Sequence, residues 1–426
     1  MESYIGRWRI DGSEEIVIGE LRRNEEKWIL YIESELKRNL ERLDDEIKFI
    51  EGRLLDGREV TILNASVNYL SFGSGKPTLA EYDCETVIIG KYFEKEDLKF
   101  DSINIKYSCL SSWILYLGII DELKYNNNEI SEIKFKDFPK VEINCKNYKM
   151  NILFNVKKKY HETKFGIDYD SFVKFDFTNK CDLDDALEYA NDFSNILTIL
   201  IGENIKIERI FLKEESLETD IFTNMIRKNN NEIRKKDILI RYIDIKDKFE
   251  SIIDNWIKKK EELIPVVSNF IRLGEDKFFD EVSFLRITQA LEVYSRRFRN
   301  EHAKKIKEDD KSYNKKGEPC LKHRLKDLLK ECDFLFNLLT DDNIDEIIKR
   351  ICNTRNYYTH YDRKETSELL NDTDSIFYIG KYLNYIVQIL ILMELGIDKS
   401  IIKDRFEKNN KFKYIKKASK IIVDKM

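Results

Sequence analysis

The hydrophobic periodicity changes once along the chain, and this change restricts the fold to a β-rich part followed by a helical part. Before residue 213, apolar residues gather in short runs such as Trp28-Ile29-Leu30-Tyr31-Ile32. Such runs, bounded by glycines, are typical of β-strands. After residue 236, apolar residues recur at steps of three and four, which indicates amphipathic helices. The polar segment 213–236 lies between the two patterns and is the predicted domain boundary.

The fold class that follows is α+β. Residues 1–218 are predicted to form a β-rich region, a sandwich or an open barrel, which divides into two parts at about residues 1–120 and 121–218. One helix interrupts it, with Asp182 as its N-cap and Gly202 at its end. The clearest strands contain Ile16-Val17-Ile18, Val60-Thr61-Ile62-Leu63, Thr86-Val87-Ile88-Ile89, Val141 to Cys145, Met150 to Val156 and Phe172 to Phe177.

Residues 237–398 are predicted to form an all-α bundle, because five successive segments each carry one apolar stripe. Residues 399–426 form a tail with ten basic and three acidic residues, which suits either single-stranded RNA or a docked terminal helix. The stripes are Phe249, Ile252, Ile253 and Trp256; Phe284, Ile287, Leu291, Tyr294 and Phe298; Leu321, Leu325, Leu328, Cys332, Leu335 and Leu339; Ile344, Ile347, Ile348 and Ile351; and Ile376, Ile379, Leu383, Ile386, Leu390 and Met393.

The composition excludes several functional classes. The 74 basic and 79 acidic residues give a net charge of −5, so any contact with a polyanion must rely on local patches. The seven cysteines form no C-x-x-C pair, which favours the cytoplasm over an oxidising compartment. The four histidines are scattered, so no metal cofactor is expected. No run of about 18 apolar residues occurs, and we expect no membrane association.

The hexapeptide at residues 355–360, Arg-Asn-Tyr-Tyr-Thr-His, combines a permanent cation with a proton-transfer group. The stripe of the fourth helix places Arg355 towards the core, where a guanidinium needs an anion or several acceptors. His360 lies about 140° further round an ideal helix, so one straight helix cannot bring both side chains to one atom. Either the helix ends or bends near Tyr358, or a second copy of the segment completes the site.

The pattern Arg-Asn-x-x-x-His on the penultimate helix of a small bundle resembles the catalytic signature of HEPN domains, which occur in many prokaryotic RNases. The neighbourhood resembles one branch of that family, the ApeA type of abortive-infection, anti-phage protein. The stretches that carry this resemblance are Gly6-Arg7-Trp8, Ile18-Gly19-Glu20-Leu21, Gln289 to Tyr294 and Leu321 to Leu325.

The resemblance implies a metal-independent endoribonuclease with no cofactor, in which the 2′-hydroxyl of the RNA attacks the adjacent phosphorus. Its catalytic residues would be Arg355, Asn356 and His360, supported by Tyr358 and Thr359. It also implies a homodimer or higher even oligomer, and an N-terminal region that senses a phage-encoded trigger. The rival interpretation is a non-catalytic module for RNA binding or dimerisation, in which Arg355 is structural.

Elementary chemistry assigns a role to each of these groups. Histidine exchanges protons readily near neutral pH, so His360 suits general acid or base catalysis. The fork of Arg355 can donate two hydrogen bonds to a phosphate, and Asn356 could orient the imidazole from one turn away. Glu292 on a neighbouring helix either pairs with Arg355 or faces solvent, and the second is favoured. His323 is expected at a helix start, pointing outward.

The segment 296–316 is expected to be a hydrophilic loop between the second and third helices of the bundle. It is either a solvated connection or a loop that contacts phosphates of RNA. The cations concerned are Arg296, Arg297, Arg299, Lys304 and Lys305.

Overall fold

The computed structural model divides into two compact units. The first comprises Met1–Ser111, Ile119–Ser194 and Ile205–Glu232, and the second Ser112–Gly118, Asn195–Asn204 and Ile233–Met426. The described residues are 2–10, 15–24, 27–34, 46–73, 76–94, 98–115, 120–126, 129–161, 164–215, 217–226, 233–275, 279–310, 317–335, 341–361, 368–370 and 372–425.

The first unit begins with a six-stranded antiparallel barrel. Its strands are β1 (Glu2–Ile10), β2 (Ile16–Asn24), β3 (Lys27–Ser34), β4 (Glu46–Leu54), β5 (Glu59–Gly73) and β6 (Lys76–Ile89). Around the barrel the order is β1, β2, β3, β6, β5 and β4, and β4 pairs again with β1. The predicted β-rich fold is confirmed. The barrel is closed rather than open, because β6 pairs with both β3 and β5.

A buried tryptophan explains three of the glycines that separate or interrupt the apolar runs. Trp8 on β1 is fully buried in the barrel core, and its ring lies against Gly6, Gly19 and Gly52. A Cβ atom added at Gly52, which is opposite Trp8 in the β1–β4 register, would lie 2.3 Å from the indole ring. Only glycine leaves room for this ring, so the close approach fixes the residue type.

Six of the eight other strands continue from β6 as one extended sheet. The first unit adds β7 (Lys99–Tyr107), β8 (Ile120–Asn126), β9 (Glu129–Phe135), β10 (Val141–Asn144), β11 (Tyr148–His161), β12 (Lys164–Asp182), β13 (Ile207–Glu214) and β14 (Leu217–Phe222). The order beyond β6 is β14, β13, β7, β12, β11 and β10, while β8 and β9 form a separate hairpin. The predicted domain boundaries stay predictions, and the predicted boundary segment contains β14.

Two helices lie among these strands in the chain, α1 (Leu110–Ile114) and α2 (Leu183–Ile201). The carboxylate of Asp182 accepts a hydrogen bond from the backbone N–H of Asp185 at 3.0 Å, as expected of an N-cap. Gly202 has a φ of 83°, the left-handed conformation of a helix end. Both predicted limits of α2 are therefore confirmed.

The second unit is a helical bundle built around one central helix. Its helices are α3 (Tyr242–Ile245), α4 (Phe249–Glu275), α5 (Glu281–Phe298), α6 (Asn300–Asp309), α7 (Leu321–Glu331), α8 (Asp341–His360), α9 (Thr373–Glu394), α10 (Lys399–Lys408) and α11 (Asn410–Asp424). Helix α5 packs against α4, α7, α8 and α9. Most residues of the predicted stripes are buried, whereas Phe298, Leu321 and Met393 near helix ends are half-buried and Leu339 lies outside the described residues.

Helix α9 is the one described helix that is long and apolar enough to cross a membrane by length and composition. Within its most apolar window, 67% of the residues are buried inside the protein. Such burial is that of a core helix in a bundle, and α9 packs against α4, α5 and α11.

The structure corrects one expectation about the charged segments and agrees with one of the two alternatives for the tail. The segment 296–316 is not a loop throughout, because residues 300–309 form α6 and bury Ala303 beneath the charged face. Residues 311–316 lie outside the described residues. In the tail, α10 and α11 are helical and bury Phe406 and Phe412, so the alternative of docked terminal helices is the observed one.

Candidate active site

The hexapeptide forms the last turns of α8, where the apolar stripe of that helix ends. Ile347, Ile348 and Ile351 are buried, and the next fully buried residue is Thr354. Thr354 continues the stripe at a step of three, which leaves Arg355 at its edge with 34% of its side chain exposed. The sequence predicted that Arg355 faces the core, and the structure places it at the rim of the core.

Arg355 is held by a carboxylate of the central helix. Its Nη2 atom lies 3.6 Å from Oε2 of Glu292 on α5, and its Nη1 donates a hydrogen bond to Oδ1 of Asn356 at 3.2 Å. The Glu292 side chain is 20% exposed, so the expectation that it faces solvent is wrong. It instead makes the pairing with Arg355 that was the alternative.

Glu292 also serves a second arginine. Its Oε1 atom accepts a hydrogen bond from Nη2 of Arg296, one helical turn further along α5, at 2.8 Å. The two guanidinium groups and the one carboxylate together carry a net charge of +1. This cluster is thus a small cationic centre at the start of the hexapeptide, where a bound anion would be stabilised.

Asn356 and Thr359 are turned towards their own helix. The amide oxygen of Asn356 accepts the hydrogen bond from Arg355, and the Thr359 hydroxyl donates to the backbone oxygen of Arg355 at 2.7 Å. The structure therefore places the Asn356 oxygen on Arg355, whereas the sequence assigned it to the imidazole. The roles of both residues stay predictions.

His360 is the last residue of α8 and is exposed. Within the part of the chain that the structure describes, no hydrogen bond or ion pair of its ring is recorded. Helix α8 is continuous from Arg355 to His360, so the separation of about 140° around the helix remains. The alternative of a helix that ends at Tyr358 is therefore wrong, and completion of the site by a second copy of the segment stays a prediction.

Three tyrosines surround this helix end, and we call Tyr357, Tyr358 and Tyr361 the tyrosine cluster. The ring centroids are 5.1 Å apart for Tyr357 and Tyr358, 5.9 Å for Tyr357 and Tyr361, and 6.4 Å for Tyr358 and Tyr361. All three pairs are edge-to-face, the arrangement that aromatic quadrupoles favour. Tyr358, expected as a supporting residue, is therefore part of an aromatic group beside His360.

A further buried arginine was missed as a site residue by the sequence reasoning. Arg324, in the first turn of α7, is fully buried, and its Nη1 donates to Ser295 Oγ at 3.3 Å and to Asn300 Oδ1 at 3.0 Å. Burial lowers the pKa of its guanidinium, and the positive charge of Arg296 lowers it further. The signal was present, because Arg324 continues the stripe of Leu321, Leu325 and Leu328.

Four of the five cations proposed to contact RNA have partners within the chain. Arg297 donates to the backbone oxygens of residues 261 and 262, Arg299 makes a bidentate ion pair with Asp327 at 2.7 and 2.9 Å, and Lys304 pairs with Glu301. Arg299 is only 16% exposed. Arg296 pairs with Glu292, and Lys305 is exposed. RNA binding by this group stays a prediction, with Arg296 and Lys305 placed best for it.

His323 has a structural position rather than the expected outward one. It is buried at the start of α7, where its Nδ1 accepts from the backbone N–H of Cys320 at 3.3 Å and its Nε2 lies 3.3 Å from Asp310 Oδ2. Burial lowers the pKa of the imidazole, while the Asp310 carboxylate raises it by a smaller amount. His323 therefore caps a helix in its neutral form. Among the described residues, no group of three or more metal-ligating side chains is found.

Comparison with known proteins places this arrangement in a class and a family. The family described as Apea-like HEPN matches residues 285–401, which include Glu292, Arg355 and His360. The family described as ApeA N-terminal domain 1 matches residues 3–256, which is more than half of the chain. The second unit thus contains a HEPN domain, and the chain belongs to the ApeA family of HEPN proteins. These domains indicate an anti-phage HEPN nuclease family. No significant match was found among curated proteins or solved structures.

The neutral, buried state of His323 predicts a pH dependence of stability. Its pKa in the folded protein is below the ordinary value of about 6.5, so the unfolded chain binds more protons as the pH falls below that value. This contribution to stability is complete above about pH 6.5 and is lost towards lower pH. His323→Gln keeps an acceptor at the capping position but does not titrate there. We expect its melting temperature to fall less than that of the wild type between pH 7.5 and 5.5, and equal falls would contradict the account.

Proposed function

We propose that the protein is a metal-independent endoribonuclease of an anti-phage abortive-infection system. The observation that carries the proposal is the cationic centre of Arg355, Arg296 and Glu292 on two packed helices, with the exposed His360 five residues after Arg355 on the same helix. The family supports a nuclease, and the residue types suit phosphodiester chemistry. RNA supplies its own nucleophile, so the proposed reaction needs no metal ion.

The proposed reaction is an internal transesterification. The 2′-oxygen forms a bond to the adjacent phosphorus while the bond from phosphorus to the 5′-oxygen breaks. One histidine accepts the proton of the 2′-hydroxyl, and a second protonated histidine donates a proton to the leaving 5′-oxygen. The products are a 2′,3′-cyclic phosphate and a 5′-hydroxyl. Arg355 donates hydrogen bonds to the non-bridging oxygens, where negative charge grows in the transition state.

The need for two histidines leads to a composite site. The hexapeptide of each chain contains one histidine, and Arg355 and His360 are separated by about 140° around the same continuous helix. We propose that two chains place their hexapeptides opposite each other across a two-fold axis, so that one phosphate meets two histidines and two arginines. The N-terminal region would then sense a phage-encoded product and release the activity, in the cytoplasm.

A second candidate function has one observation in its favour. The pairing of Arg355 with Glu292 and Asn356 is also what an arginine of purely structural function would make. A non-catalytic HEPN module that binds RNA or dimerises would need no exposed histidine. RNA cleavage and RNA binding by the wild type and by His360→Ala separate the two functions.

Replacement of His360 tests catalysis without disturbing the fold. His360→Ala should lower RNA cleavage by roughly 10²- to 10⁴-fold, because general acid-base catalysis is lost, while the melting temperature stays unchanged because the side chain is exposed. The matched control is His302→Ala, an exposed histidine on α6, which should cleave as the wild type does. Cleavage is measured on purified total RNA. An active, folded His360→Ala protein would exclude His360 as the catalytic group, whereas a folded wild-type protein that binds RNA without cleaving it would favour the second candidate.

A mixing experiment tests the composite site. Wild-type chains are incubated with increasing excess of His360→Ala chains, and cleavage is expressed per wild-type subunit. If a site needs histidines from both chains, this specific activity falls steeply as mixed dimers form. Sites that are complete within one chain keep it constant, and a constant value would mean that Arg355 and His360 converge without a partner.

A further inference from the structure

Tyr361 has two features that contribute nothing to the stability of the folded chain, a strained backbone conformation and an exposed aromatic side chain. Its φ is 52°, in the left-handed region that a bulky side chain adopts only with strain, and its side chain is 72% exposed although it is aromatic. The exposed ring gains little from burial that would offset the strain. Strain of this kind, where it is observed, points to a function of the residue.

The surroundings of Tyr361 indicate what that function is. Tyr357 and Tyr358 contact it edge-to-face, which fixes the orientation of its ring and leaves most of its surface open. Tyr361 directly follows His360, and Arg355 lies on the preceding turns of the same helix. An open aromatic face that follows His360 in the chain, at the end of the helix that carries Arg355, is suited to an unpaired nucleobase whose phosphate is bound by these groups.

We propose that the tyrosine cluster is a base-binding subsite, in which Tyr361 stacks on an unpaired RNA base adjacent to the phosphate that is cleaved. The inference rests on the proposed function and names its substrate class, which is single-stranded RNA. Bases within a duplex are covered by their neighbours, so cleavage is confined to loops and unpaired ends. Stacking tolerates any base, and the subsite therefore selects for strandedness more than for sequence.

Two substitutions separate the effect of the aromatic ring from the effect of the strained backbone. Tyr361→Phe keeps the ring and the left-handed backbone, whereas Tyr361→Asn removes the ring and suits the left-handed conformation better. Both are made in the full-length His360→Ala chain, which is expected to cleave the probe at least about 10²-fold more slowly than the wild type. The probe is a fluorescein-labelled decamer of adenosine ribonucleotides, and its affinity is measured by fluorescence anisotropy beside an otherwise equal decamer with two abasic positions.

We expect Tyr361→Phe to bind as the His360→Ala parent does, and Tyr361→Asn to bind about 5- to 100-fold more weakly, the range for loss of one stacked base. The abasic probe should show a smaller difference between the two variants. Tyr361→Asn should also melt at the same or a higher temperature, which excludes unfolding as the cause of weaker binding.

Equal affinities of Tyr361→Asn and the parent would overturn the inference. So would a change of mass in light scattering without a change of RNA affinity, because the ring would then be a contact between copies of the chain. Failure of the proposed function is distinguishable. It appears as absence of wild-type cleavage, whereas failure of the subsite appears as His360-dependent cleavage that Tyr361→Asn leaves unchanged.

Discussion

The need to place an arginine at the rim of an apolar core governs the candidate site. A guanidinium stays charged under all ordinary conditions, so its partial burial must be matched by an anion. Glu292 on α5 supplies that anion to Arg355 on α8 at 3.6 Å. Because the same carboxylate also binds Arg296, it orients both cations without cancelling both charges. The arrangement therefore gives rigidity and leaves one positive charge for a phosphate.

The central position of α5 connects this pair with the rest of the bundle. Ser295 on α5 and Asn300 on α6 accept hydrogen bonds from the buried Arg324 of α7, so a second guanidinium links the same helices. At the end of α7, Asp327 and Glu331 bind Arg299. Each of these arginines has its position set by polar partners on a neighbouring helix. Such pairing fixes the register between helices, which apolar stripes alone define only loosely.

Helices and strands could be predicted where one hydrophobic periodicity dominates the sequence. Predictions of detail were wrong where contacts between distant parts of the chain determine the structure. The stripes predicted the bundle, and short apolar runs between glycines predicted the strands. Closure of the barrel depends on which edges pair, and local pattern carries no such information. Helix α6 was expected as a loop because its sequence is charged almost throughout, and only Ala303 is buried. His323 appeared exposed because a capping histidine and a surface histidine have the same sequence context. The pairing of Glu292 depends on the packing of α5 against α8, which no stripe specifies.

The central claim, which is a proposal, is that the HEPN site cleaves RNA by attack of the RNA's 2′-hydroxyl and without a metal ion. The most direct measurement is the chemistry of the RNA ends that the purified wild-type protein produces from total RNA in excess chelator. The account predicts cleavage that persists in chelator and leaves 2′,3′-cyclic phosphate and 5′-hydroxyl ends, and that is absent with His360→Ala. Cleavage that requires magnesium or manganese, or that leaves 5′-phosphate ends, would contradict it.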